Sequence, residues 1–141
     1  MRKARHMHQS GQRKDRSMRR IALLWIAVLW SANAAGAPVG DTQRGERIFA
    51  ARCAMCHSDV RNGPANFGPN LFGILGRKPA SEPGFDYSPA LRSVRFAWTA
   101  DRIERFVADP GAAVAGVRMR DPDLHDPELR SDLIAYLTSL K

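Results

Sequence analysis

Apolar residues along the second half of the chain recur at helical spacing, and no segment reads as a strand. Asp41 is placed to cap a helix running through Arg44, Ile48, Phe49 and Arg52, with the last three on one face. Gly45 lies inside that helix, where glycine weakens it unless another backbone approaches closely. From Asn62 to Phe85 the chain carries Gly63, Pro64, Gly68, Pro69, Gly73, Gly76, Pro79, Pro83 and Gly84. That density of breakers predicts a structured loop, and loops of this length in small domains usually serve function. Ser88-Pro89 opens a short helical turn ending near Ser93. Thr99 caps a helix with Ile103, Phe106 and Val107 on one face, and Asp109-Pro110 ends it. Asp126-Pro127-Glu128 starts a last helix carrying Leu129, Leu133, Ile134, Leu137 and Leu140. The fold class expected is all-α, a small single domain of helices and long loops.

A different pattern occupies the first 37 residues. Ile21 to Trp30 is an unbroken apolar run directly after Arg19-Arg20, followed by Ala/Ser/Gly-rich sequence to Ala37, which is the layout of a signal peptide. The run falls short of the roughly 20 apolar residues a membrane span needs. Ala32-Asn33-Ala34 supplies the small-x-small cleavage signal, so residues 1–34 read as a signal-peptide region and residues 38–141 as the mature domain, with Met18 an alternative start. Of the formal net charge of +8, +7 belongs to residues 1–37, where Arg2, Lys3, Arg5, Arg13, Lys14, Arg16, Arg19 and Arg20 face only Asp15. The remainder is nearly neutral, which removes the basic patch that nucleic-acid binding requires. No internal repeat or linker divides the remaining hundred or so residues, enough for one modest core.

The chemistry is concentrated in Cys53-Ala54-Met55-Cys56-His57. Cys-x-x-Cys-His is the attachment motif of c-type haem: thiols three apart share a helical face and reach two vinyl groups on one porphyrin edge, and the adjacent imidazole meets the iron. A thioredoxin-like pair would follow a strand in a βαβ unit, and none is present. A zinc site would have only His57 and His125 to complete the two sulfurs once the leader is removed. A disulfide leaves the histidine unexplained. One haem c, covalently bound through Cys53 and Cys56 with His57 as iron ligand, is therefore expected.

The second axial ligand decides what such a haem does. Met1, Met7 and Met18 lie in the leader and Met55 between the cysteines, so Met119, in a loop beside Gly116 and two arginines, is the expected partner of His57 on the iron. His125 is the rival. With both axial positions filled, substrates cannot reach iron and one-electron exchange is favoured over catalysis. An open or weakly held sixth position would instead suit a haem-c sensor or a small haem enzyme. A secreted binding module without haem is the third class.

From Gly45 to the C-terminus the chain resembles a class I cytochrome c of the mitochondrial and bacterial c2 type. The resemblance is carried by Gly45-Glu46-Arg47-Ile48-Phe49, the Cys53–His57 motif, Gly68-Pro69-Asn70-Leu71, Gly76-Arg77-Lys78, Pro83-Gly84-Phe85-Asp86-Tyr87-Ser88, Trp98, Gly116-Val117-Arg118-Met119 and Leu133-Ile134-Ala135-Tyr136-Leu137. It implies a monohaem one-electron carrier, not an enzyme, working in the bacterial periplasm. Its partners would be redox proteins such as respiratory or photosynthetic membrane complexes or periplasmic dehydrogenases, docking transiently. It further implies a monomer that does not span the membrane after processing. The Pro69 carbonyl would bond the free ring nitrogen of His57. Arg77, Tyr87 and Trp98 would contact a haem propionate. Gly45, Phe49, Leu133 and Tyr136 would form the crossing of first and last helices. Arg52, Arg61, Arg118 and Arg120 would form a basic docking rim, diluted by Asp121, Asp123 and Asp126, with association that salt weakens.

Departures from the family cluster on the distal side: Phe106 stands where tyrosine is usual, Val117 where threonine is, Asp121 where phenylalanine is, and Ala115 lacks a frequent proline. Loss of hydroxyls near the methionine sulfur predicts a Met119–iron bond that yields more readily than in typical members. Imidazole or cyanide should bind the ferric protein faster than it binds such a member; equal or slower binding contradicts the expectation.

Overall fold

The computed structural model describes residues 40–141, and the proposed leader, its start and its cleavage site lie outside them. Among the described residues there are five helices and no strand: α1 (Thr42–Arg52), α2 (Pro89–Ser93), α3 (Ala100–Ala108), α4 (Pro110–Ala113) and α5 (Pro127–Ser139). The all-α expectation is met. None of these helices is long and apolar enough to cross a membrane.

Each helix begins where its capping residue places it. Asp41 accepts from the Arg44 amide at 2.9 Å, Ser88 from Leu91 at 3.2 Å, Thr99 from Arg102 at 3.3 Å, and Asp126 from Glu128 at 2.8 Å. These side-chain oxygens satisfy amides that have no partner within the helix. Asp109-Pro110 does end α3, but it also starts α4, since Asp109 accepts from the Ala112 amide at 2.8 Å and proline suits a first helical turn.

The last helix crosses the first in close contact at Gly45. A Cβ on Gly45 would overlap the Asp132 carbonyl and come within 2.7 Å of the Tyr136 Cβ, so the glycine expected to weaken α1 is what lets α5 sit against it. Phe49 packs its ring 5.6 Å from that of Tyr136, and Leu133 is buried beside them, as the family resemblance implied. Burial of each such side chain contributes about 1.5–3 kcal/mol. The core continues through Ile74, Tyr87, Leu91, Trp98, Ile103, Phe106, Val107, Val114, Leu124 and Leu137. Leu129, one of the apolar residues named in the last helix, remains 38% exposed. The buried stripe of that helix runs instead through Leu133 and Leu137, one turn apart.

A polar clamp closes the crossing. Buried Asp132 accepts from the Asp41 amide at 2.6 Å and from Arg44 Nε and Nη2 at 2.8 and 3.1 Å, joining the α1 cap to α5. The Arg44 hydrogen bonds hold its carboxyl below the ordinary 3.8, against the opposing effect of burial. Because the folded value is the lower one, the stabilisation is present above the unfolded value and is lost as pH falls through the folded value. Thermal unfolding of Asp132→Asn beside the native chain should show a deficit in Tm near neutrality that closes in acid. A gap constant with pH contradicts this.

Candidate functional site

Helix α1 stops at Arg52 and the chain tightens into consecutive turns, with the Cys53 and Ala54 amides both donating to the Phe49 carbonyl at 2.8 and 2.9 Å. The Cys56 and His57 amides then both donate to the Cys53 carbonyl at 3.0 and 2.9 Å. This winds the two sulfurs and the imidazole into one turn. No disulfide joins Cys53, which is buried, and Cys56, which is half-buried. Burial, with Cys56 adding to it, pushes the Cys53 thiol up to about 11.

His57 is fixed from two sides. Its Nδ1 donates to the Pro69 carbonyl at 2.7 Å, which leaves the Nε2 lone pair as the free ligating position. Gly68 packs flat on the ring: a Cβ there would sit 2.6 Å from Nδ1 and 2.8 Å from Nε2. The Gly68 amide donates to the Cys56 carbonyl at 2.8 Å, locking the loop against the motif. Burial lowers the His57 pKa, with the Pro69 bond opposing, so the ring is neutral and can bind a metal.

A second cluster lies around Arg77. Its Nη2 donates to the Asn70 carbonyl at 2.6 Å and its Nη1 to the Phe72 carbonyl at 3.3 Å, with Glu82 at 3.5 Å. Trp98 joins by main chain, its amide donating to the Arg77 carbonyl at 2.9 Å while its own carbonyl accepts from Gly76 at 2.8 Å. The Tyr87 hydroxyl accepts from the Glu82 amide at 3.3 Å, which leaves its proton to donate, and burial raises its pKa. Arg77, Tyr87 and Trp98 are thus brought together. The buried Arg77 Nε finds no hydrogen-bond partner among the described residues, and such a group is costly to leave unpaired.

A family model described as cytochrome C oxidase, cbb3-type, subunit III matches residues 40–137. The chain is 39% identical to cytochrome c2 of Rhodopila globiformis over 74% of its own length and 98% of that protein. It is 38% identical to cytochrome c of Guizotia abyssinica, over 75% and 96% of the two chains. With cytochrome c2 of Rhodomicrobium vannielii it shares 33% identity over 85% and 94%. The chain belongs to the cytochrome c family. It is a one-electron carrier rather than an enzyme, with one covalently attached haem c, and its partners are redox proteins. For this cytochrome c the open-iron sensor and the haem-free module are not favoured. The site suits the cofactor: the two thiols share a turn with an imidazole whose Nε2 is free, and the orphaned Arg77 Nε calls for an anion such as a propionate.

Met119 is half-buried against the core in the irregular segment after Gly116. His125 is 68% exposed at its side chain, and its Nε2 faces Asp123 at 3.5 Å and Asp121 at 3.8 Å. Three of the four arginines read as a docking rim are engaged within the chain. Arg52 pairs with Asp123 at 3.1 Å, Arg118 pairs with Asp86, and Arg61 lies over Phe72 and donates to the Lys141 main-chain oxygen. Sequence alone assigns no site role to Gly68 or Asn70. Buried Asn70 donates to the Val60 and Gly63 carbonyls at 2.9 and 2.8 Å and accepts from the Phe72 amide at 2.7 Å, tying the loop into shape. The signal for both was the Gly-Pro-Asn run after the haem motif.

Gly68 has no positive φ, so alanine meets no backbone strain there and acts only through the overlap with His57. Gly68→Ala should lower stability by about 1–3 kcal/mol and shift the reduction potential as the ring is displaced. Denaturant unfolding and voltammetry check this; a variant equal to the native protein in both contradicts it.

Proposed function

We propose that Cys53 and Cys56 are the residues that would form the thioethers, that His57 Nε2 and the Met119 sulfur would hold the iron, and that Pro69, Arg77, Tyr87 and Trp98 would form the haem environment. The observation that carries this reading is the 2.7 Å bond from His57 Nδ1 to the Pro69 carbonyl, made beside the turn that holds Cys53 and Cys56. When bound, the haem supplies a one-electron ferric/ferrous couple. The residues do the rest. The Pro69 carbonyl raises the basicity of His57 and holds its ring. Arg77 Nε and the Tyr87 hydroxyl would donate to a propionate and offset its burial. Phe106, Trp98 and Phe96, with ring centroids 5.1 Å apart in sequence, keep water from the interior.

The chain is exported by a leader within residues 1–34 and works as a domain spanning 38–141. It acts in the periplasm as a monomer, passing electrons among respiratory or photosynthetic membrane complexes or dehydrogenases. The apolar run after Arg19-Arg20 supports the export and the near-neutral remainder supports the domain boundary.

The absorption spectrum of the haem-loaded ferric protein tests the axial pair. It should be low-spin and contain the sulfur-to-iron charge-transfer band, lost in Met119→Ala and kept in His125→Ala. A high-spin native spectrum, or a band that survives Met119→Ala, contradicts the assignment.

A further inference from the structure

Between α4 and α5 the chain runs without helix or strand, and Met119 lies in this stretch between Gly116 and Asp123, whose φ angles are 86° and 56°. Its downstream half is well anchored. Leu124 is 1% exposed, and Arg130 Nη1 donates to the Leu124 and His125 carbonyls at 2.8 and 2.7 Å. The upstream half is held differently. Among the described residues, the side-chain hydrogen bonds made between Gly116 and Arg120 all come from Arg118. Its Nη1 and Nη2 each donate to Asp86 Oδ2 at 3.2 Å, and Nη2 also donates to the Asp86 carbonyl. The other carboxylate oxygen of Asp86 accepts from Arg92 Nη2 at 2.7 Å, on α2. One carboxylate therefore joins the residue before Met119 to α2 and to the residue before Tyr87, a buried wall of the site.

We propose that Asp86 and Arg118 form a latch that positions Met119 and sets how fast the sixth iron position opens to an added ligand. This rests on the assignment of Met119 as axial ligand. Met119 cannot swing away from the interior without carrying Arg118 with it, and that movement breaks the fork on Asp86. The guanidinium fork is directional, so the contact fixes the rotation of the segment as well as its distance. Asp86, Arg92 and Arg118 are more than half exposed at their side chains, so the pair is open to solvent and screened by salt. The latch therefore tunes opening rather than preventing it, and it loosens as ionic strength rises. Asp86 and Arg118 are positioning residues, acting through Met119.

The test is stopped-flow binding of imidazole to the haem-loaded ferric protein, reading the limiting rate at saturating imidazole at low and high sodium chloride. Asp86→Asn and Arg118→Gln should each raise that rate by about two- to fivefold at low salt, the range of an exposed pair. They should also abolish the salt-induced rise expected of the native protein. Arg118→Lys should restore part of the salt dependence. Arg105→Gln, which removes the exposed pair with Asp101 on α3, should leave the rate unchanged. A native protein with the sulfur-to-iron band and a saturating rate that neither latch variant alters overturns the latch alone. Equal salt dependence in native protein and variants does the same. A native protein with no such band and no saturation overturns the Met119 assignment, and the latch with it.

Discussion

The hydrogen bond from His57 Nδ1 to the Pro69 carbonyl is the constraint on which the rest of the structure depends. It selects one tautomer and one ring orientation, and so decides which nitrogen is left for iron. It forms only because the chain returns 12 residues after His57 and lays Gly68 on the ring, where any side chain would collide. The return is held by a main-chain bond from Gly68 to Cys56 and by Asn70, whose amide gathers three main-chain groups of the loop. Upstream, the motif has a fixed origin because α1 is clamped to α5 at Gly45 and Asp132. Helix crossing, turn and loop act in series to place one imidazole.

The long segment between the motif and α2 shows why such a fold is built around a cofactor. It has no helix or strand, and its order comes from main-chain bonds to a few side chains, chiefly Asn70, Arg77 and Tyr87. Arg77 spends its outer nitrogens on loop carbonyls and leaves Nε buried and unpaired, and Tyr87 accepts a bond while keeping its own proton. Both are donors facing inward, the arrangement that a buried anion satisfies. A haem with its propionates would supply the apolar surface and the anion together, which ties cofactor binding to folding of the loop.

Helix starts were legible because local chemistry sets them: an oxygen-bearing cap, an early proline, an apolar face. The all-α class followed, as did the Gly45 crossing and the pairing of His57 with Pro69, through the family resemblance. Where sequence reading stopped short, the cause was distance along the chain. Asp109-Pro110 works both as a stop and as a cap, and only the three-dimensional path of the backbone shows that it does both. Leu129 fits the helical period yet is half-exposed, because the buried stripe depends on the partner helix and not on the period alone. Asp86 and Arg118 lie 32 positions apart, and neither residue type nor spacing marks them as a pair. Arg52 and Arg118 look like free surface charge in the sequence and are engaged in the fold.

A crystal structure of the haem-loaded protein tests the placement of His57 most directly. The account predicts His57 Nε2 bonded to iron with Nδ1 still donating to the Pro69 carbonyl, and the Met119 sulfur on the opposite face. A ring turned so that Nδ1 meets the iron, or a sixth position held by His125 or water, would contradict it.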